Sequence, residues 1–321
     1  MDRKDEAPKK LAMEKPYNDY NSYLRRIHGA KVYKIGLDAG FSCPNRDGTK
    51  GRGGCTYCTD NGSRSSYTDP VKSVAEQLSL RMEYLKKTFA AEKFIAYFQA
   101  FTNTHAPVKK LKSIYDDVLP FDGIVGISIG TRPDCVDDEK MRLISSYRDR
   151  YEMWIEYGLQ SVNEDTLVRI ERRHTLKDFI TAVELAKRYG IKTCAHLILG
   201  FPEETGKDIV NAAKIFNDLK IDGIKIHLLH ILKGSRMENI YKGGGIKLLD
   251  QTEYVDMVCD LLENISPDIV IQRLTGEGDR ENHIAPLWAL DKTKTIRMIE
   301  EELTKRGTRQ GKMTPNSILL L

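Results

Sequence analysis

Residues 43–58, CPNRDGTKGRGGCTYC, constrain this chain more than any other stretch. They carry Cys43, Cys55 and Cys58, three of the six cysteines, together with Gly48, Gly51, Gly53 and Gly54. The segment is too irregular for a helix or a strand. Its spacing is C-x11-C-x2-C. Cys55 and Cys58 stand close enough to share one metal centre, and the intervening loop, with a reach of roughly 40 Å when extended, returns Cys43 to the same point. Glycines ease that return because they accept positive φ without a steric cost. Thiolates grouped in this way hold zinc or iron–sulfur. A structural zinc takes four protein ligands, whereas a [4Fe–4S] cube held by three leaves one iron open for a substrate or cofactor.

Strand-like runs recur at 31–37, 94–99, 124–130, 153–158, 193–199 and 224–231, with helix-like stretches between them. Residues 70–89 open on Asp69-Pro70, a cap and a first-turn proline. Thr175 and Asp178 read as a capping box for a helix that stops before Gly190. Residues 137–147 and 203–219 carry apolar residues at three- and four-residue spacing. Alternating strands and helices imply parallel pairing with right-handed crossovers. Six such units are fewer than the eight of a closed barrel. From about Ser235 a tail follows, with a helix at 252–264, a short strand at 268–274, the loop TGEGDRENHIAPLW and a helix at 293–306. In parallel α/β folds reactive groups gather at the C-terminal ends of strands. The cysteine loop, Gln99–Thr104, Thr131–Asp134, Glu156–Gln160, His196–Pro202 and His227–His230 all fall there.

A three-cysteine loop after the first strand of an α/β chain resembles the radical S-adenosylmethionine (SAM) superfamily. The long first gap is similar to the YtqA/YhcC-type members, relatives of the Elongator catalytic-subunit class. This resemblance runs from PYNDYNSYLRR near residue 16 to TRQGK near residue 312. It implies an α/β fold: a partial (β/α)6 TIM-like barrel at 31–235, a small C-terminal α/β extension at 236–321 covering the barrel mouth, and an N-terminal arm at 1–30. It also implies two cofactors, a [4Fe–4S] cluster on Cys43, Cys55 and Cys58, and SAM. Cleavage of SAM to a 5′-deoxyadenosyl radical would then abstract a hydrogen atom from substrate.

The positions carried over for SAM are Tyr57 near the adenine, Gln99, Thr102 and Asn103 at the methionyl amine, and Gln160 and Arg172 at the ribose and carboxylate. Arg169 and Arg173 compete with Arg172 for the last role. Leu199 and Glu156 complete the set. Tyr57 also reads as a ring shielding the cluster, and Glu156 as an ordinary strand-end salt bridge. Relatives carry a glutamate where this chain has Gly130 and an aspartate where it has His196. Either SAM is held differently here, or Ser128, Asp134 and Glu156 substitute. No residue is assigned a catalytic proton or hydrogen transfer.

Other signals are plainer. His227 and His230, three apart on one strand, are expected to face opposite sides. His105 reads as a substrate contact or a helix cap. Cys135, Cys194 and Cys259 are scattered and read as buried thiols. Basic residues gather at Arg169, Arg172, Arg173 and His174, at Lys31 and Lys34, and around 305–312; such runs are commonly solvated faces.

A net charge of +4 permits an acidic partner without establishing one. With 40% hydrophobic and 30% charged residues the composition is that of a globular domain. No run approaches 18 apolar residues, so no membrane helix is expected. The charged N-terminus lacks a secretory core, and six cysteines without an export signal suggest a reducing, cytoplasmic setting. The resemblance points to tRNA as partner and wobble-uridine side-chain modification of the carboxymethylaminomethyl type, with an electron donor such as flavodoxin or ferredoxin. Competing readings are radical SAM chemistry on a small metabolite or peptide, and a non-catalytic, metal-bound RNA-binding protein.

Overall fold

A computed structural model describes residues 15–62, 64–65, 67–276 and 280–314. Residues 1–14 of the expected arm, 277–279 of the tail loop and 315–321 lie outside the described residues. The strands are β1 (Val32–Leu37), β2 (Lys93–Phe98), β3 (Ile124–Thr131), β4 (Glu152–Gln160), β5 (Lys192–Leu199), β6 (Gly223–Leu228), β7 (Ile231–Leu232), β8 (Val270–Arg273) and β9 (His283–Ala285). β1 to β6 and then β8 form one parallel sheet in that order, while β7 and β9 make a small antiparallel pair. The six expected strands thus pair in sequence, and the short tail strand joins them as a seventh. The sheet curls into a half-barrel. β1 and β8 are its opposite edges, yet Lys34 Nζ reaches Gln272 Oε1 at 3.4 Å.

Among the described residues, ten α-helices connect and cover the strands: α1 (Tyr20–His28), α2 (Val74–Phe89), α3 (Val108–Asp116), α4 (Asp138–Ser145), α5 (Glu164–Arg169), α6 (Leu176–Arg188), α7 (Gly206–Asp218), α8 (Arg236–Lys242), α9 (Gln251–Asn264) and α10 (Lys292–Lys305). The α6 capping box forms as expected at Thr175 and Asp178. α2 starts later than Asp69-Pro70 predicts, because Ser73 and Glu76 make the stronger reciprocal cap.

Strand alternation sorts the side chains. Ile35, Leu37, Ala96, Phe98, Ile127, Ile129, Ile155, Tyr157, Leu197, Leu199, Ile224 and Ile226 face the helices and form the main core. Their neighbours face the barrel axis. At the N-terminal end, Val32, Ile95, Trp154, Cys194 and Val270 form an inner apolar layer with Tyr23 and Leu24 of α1. Tyr20 and Tyr23 each meet the Trp154 ring edge-on at 6.0 Å. Part of the segment expected as an arm is therefore a helix across the barrel base, held by its Asp19 cap and stopped at Gly29, φ +68°.

Candidate functional site

The cysteine loop is folded on itself by backbone bonds. Arg46 N and Asp47 N donate to the Cys43 carbonyl, Gly54 N to Asn45 O, and Cys58 N to Cys55 O at 3.1 Å, which forms the C-x2-C knuckle. Gly54 has φ +76°, and a Cβ there would lie 2.9 Å from Arg46 Nη2, so only glycine fits. The loop is docked from two sides. Thr56 N donates to Ile170 O at 3.1 Å, and Met237 N of α8 donates to Thr56 O at 3.0 Å.

Cys55 is buried, and Cys43 and Cys58 are partly exposed. The Cys55 sulfur accepts from Asn45 Nδ2 at 3.4 Å and from Arg172 Nη1 at 3.6 Å. Burial opposes ionisation of this thiol, but Arg172, with help from Arg132 and Asn45, holds its pKa below the ordinary value. Cys58 is shifted upward, by burial first and then by Cys55 and Cys43. The three sulfurs thus share one electrostatic environment.

Among the described residues no three His, Cys, Asp or Glu side chains gather closely enough to hold one metal ion. Thiolates on a single ion at about 2.3 Å crowd within about 4 Å of each other, whereas those on separate corners of a cube stand further apart. Three thiols in one loop, with N–H groups aimed at a sulfur, fit a cluster better than a single ion. Cys135, Cys194 and Cys259 are buried free thiols elsewhere in the fold.

Beneath the loop, the barrel interior is polar. Glu156 is fully buried and receives Lys34, Lys225 and Ser128, while His196 Nε2 lies 2.8 Å from its Oε2. The Tyr97 ring lies between the two lysines, 4.1 Å from Lys34 Nζ and 4.2 Å from Lys225 Nζ. Burial opposes the Glu156 charge, but Lys225, Lys34 and His196 outweigh it and keep the carboxyl ionised. Burial also pushes His196 down to about 4, so its ring is neutral. Every strand of the sheet contributes to this layer: Lys34, Tyr97, Ser128, Glu156, His196, Lys225 and Gln272.

The remaining candidate positions scatter more widely. Asn103 Nδ2 bonds the carbonyls of Phe98 at 3.1 Å and Gly130 at 2.8 Å, leaving its buried Oδ1 without a partner. Thr102 is buried beside it, and Gln99 Oε1 accepts from Ser65 Oγ at 2.9 Å. Gln160 ends β4 with φ +80°. Arg172 Nε and Nη2 hold the Gly158 carbonyl. Arg173 and Arg169 lie at the surface, paired with Glu171 and Glu203. Tyr57 packs near Phe201, ring centres 6.2 Å apart. Leu199 lies in the helix-facing core. His105 pairs with Asp47 of the cysteine loop at 2.8 Å, and the helix after it, α3, has no side-chain cap. Asp134 is held by Arg132, with both contacts at 2.9 Å.

The expectation that His227 and His230 face opposite sides fails, because β6 ends at Leu228 and the chain turns before His230. Both rings approach Gly276: a Cβ there would lie 3.3 Å from His230 Cε1 and 3.7 Å from His227 Nδ1. Sequence reasoning missed Asn45 and Lys225, and treated Lys34 as part of a surface patch. The alternation of Lys225 and His227 on β6 was the signal available, since residues two apart share a face.

With this geometry established, known proteins supply the comparison. The family described as "Radical SAM superfamily" matches residues 47–216, and "Radical_SAM C-terminal domain" matches residues 221–305. YtqA of Bacillus subtilis is 43% identical over 302 residues, covering 93% of each chain. A tRNA uridine(34) acetyltransferase of Dehalococcoides mccartyi is 28% identical over 154 residues, 47% of this chain and 33% of that protein. Among solved structures, Elp3 of Methanocaldococcus infernus superposes with a TM-score of 0.64 at 18% identity, over 87% of this chain and 64% of that one.

Proposed function

The chain belongs to the radical SAM superfamily, and we propose that it remodels the side chain of a wobble uridine in tRNA. The family's cofactors are a [4Fe–4S] cluster and SAM. When bound, these supply abstraction of a hydrogen atom from an unactivated carbon. The protein's own part is to hold and enclose. Cys43, Cys55 and Cys58 would carry the cluster, with Asn45 and Arg172 donating to the Cys55 sulfur. Gln99, Thr102, Asn103, Ser128, Glu156, Gln160, Arg172 and Tyr57 would surround SAM, whereas Leu199, in the helix-facing core, falls outside that set. The C-terminal extension would cover the mouth and exclude water from the reacting carbon.

The observation that carries the tRNA reading is the similarity, across nearly half of this chain, to a tRNA uridine(34) acetyltransferase. A formal charge of +4 is compatible with a polyanionic substrate. Among the described residues no helix is long and apolar enough to cross a membrane. The reaction is proposed for the cytoplasm, with flavodoxin or ferredoxin as electron donor.

Two measurements test this reading in sequence. Anaerobic reconstitution should give a brown protein that releases 5′-deoxyadenosine from SAM under reduction. A colourless zinc protein inert toward SAM would instead indicate a binding module. Mass spectrometry of tRNA nucleosides from cells lacking the protein should then show a changed wobble uridine. An unchanged nucleoside profile would redirect the search to a metabolite or peptide.

A further inference from the structure

Among the described residues, one corner of the barrel interior carries more positive charge than its carboxylates balance. His196 on β5, Lys225 on β6 and Arg273 on β8 are successive cross-strand partners. Arg273 reaches that row through an irregularity. Ile224 pairs with Ile271 but Lys225 pairs with Arg273, so Gln272 is an extra residue. Such bulges re-aim a side chain. Without the shift, Arg273 would share the outward face of Ile271, which packs in the helix-facing core. Its guanidinium instead acts electrostatically on His196, Lys225, His227 and His230.

Among the described residues, the carboxylate beside this row, Glu156, is already engaged by Lys34, Lys225 and His196. Arg273 has no ion pair or side-chain hydrogen bond among the described residues. Around it lie unsatisfied polar atoms. Nε2 of His227, Nε2 of His230 and Nε2 of Gln272 are all buried without a partner. Buried polar groups in folded proteins are nearly always satisfied, so several orphans facing one cation mark a place for a ligand. The His196 and His227 rings lie 5.3 Å apart at an interplanar angle of 34°, and the two orphaned imidazoles converge on Gly276, where a β-carbon would lie 3.3 Å from His230 Cε1. No metal-holding group exists there among the described residues, which fits the charge already present.

We propose that the β5–β6–β8 corner is a subsite for a single carboxylate carried by the substrate. Arg273 supplies a fork for the two oxygens, and His227 and His230, neutral and able to donate N–H, supply the flanking bonds. Arg273 is the cation of this corner that no carboxylate among the described residues pairs, and one carboxylate would pair it. The site is separate from the thiolates: Arg172 reaches Cys55 from the end of β4, and β5 and β6 stand between β4 and β8. The carboxylate subsite deepens the uridine proposal, since a carboxymethyl-type side chain places such a group beside the hydrogen-bearing carbon.

The test uses the reconstituted, oxidised holoprotein and three probes: 5-carboxymethyluridine, uridine, and 13C-acetate. Calorimetry should show 5-carboxymethyluridine binding at least 10-fold tighter than uridine. Arg273→Gln should erase that difference, and Arg273→Lys should restore part of it. Iron content and reductive SAM cleavage of the variants should stay at wild-type levels, which separates a lost subsite from a lost fold. Broadening of the 13C-acetate line by wild type but not by Arg273→Gln supports the carboxylate subsite even if neither nucleoside binds, and in that case the uridine reading fails alone. Equal affinity for both nucleosides together with unbroadened acetate overturns the subsite. So does inorganic phosphate that competes more strongly than acetate, or an Arg273→Gln protein that keeps wild-type discrimination.

Discussion

The guanidinium of Arg172 joins the end of β4 to the cysteine loop: Nε donates to Gly158 O at 3.1 Å while Nη1 lies 3.6 Å from the Cys55 sulfur. The same side chain that fixes the position of the loop therefore sets the charge of one of its thiols. Replacing it by alanine should raise the Cys55 pKa, since burial would then be opposed mainly by Arg132 and Asn45. At pH 8 the thiolate fraction falls, and iodoacetamide labelling of Cys55 in the cluster-free protein should slow several-fold. An unchanged labelling rate would remove Arg172 from this role.

Cys55→Ala should cut bound iron to a small fraction of wild type while circular dichroism stays native, because the residue sits in a loop outside every helix and strand. Wild-type iron content after anaerobic reconstitution would refute its assignment as a ligand.

Glu156→Gln leaves the buried Lys225 and the half-buried Lys34 without their shared counter-charge. Breaking a buried ion pair from one side costs about 3–5 kcal/mol, and urea denaturation should register a loss of that order. A Glu156→Gln, Lys225→Met double variant should recover much of it. A loss under 1 kcal/mol in the single variant would mean that the interior is wetter than the packing indicates (about 1 kcal/mol being the exposed-pair limit).

Glu204 gives a prediction with a pH sign. Burial raises its pKa to about 7, against the lowering effects of Ser161 and Thr166. A carboxyl whose folded pKa lies above its unfolded value holds its proton longer in the folded state, so stability falls between about pH 4.5 and pH 7. Glu204→Gln should be more stable than wild type at pH 8, on the order of 1–3 kcal/mol. The difference should shrink to nothing below about pH 4.5. Parallel stability curves for the two proteins would show that Glu204 titrates normally.

Much of the scaffold was legible because its signals are local. Strand-like runs marked five strands to within a residue or two and the sixth with its end three residues too late, at 231 rather than Leu228, and the Thr175–Asp178 box marked α6. Ser73 and Glu76 were an equally local cap for α2, masked by the more conspicuous Asp69-Pro70 upstream. β8 was recognised as a strand, but its place beside β6 depends on pairing across more than forty residues that no short pattern encodes. The interior polar layer was hidden for the same reason. Lys34 looks like a surface lysine until β1 curls to meet β8, and Arg273 faces inward only because one residue of β8 is unmatched. The cysteine spacing was readable, whereas the Asn45 and Arg172 contacts on Cys55 needed the folded loop.

The Tyr20, Tyr23 and Trp154 rings at the barrel base have a consequence for traffic. With that end stoppered by aromatic side chains, nothing passes through the base, and exchange with the interior has to run from the opposite end of the strands.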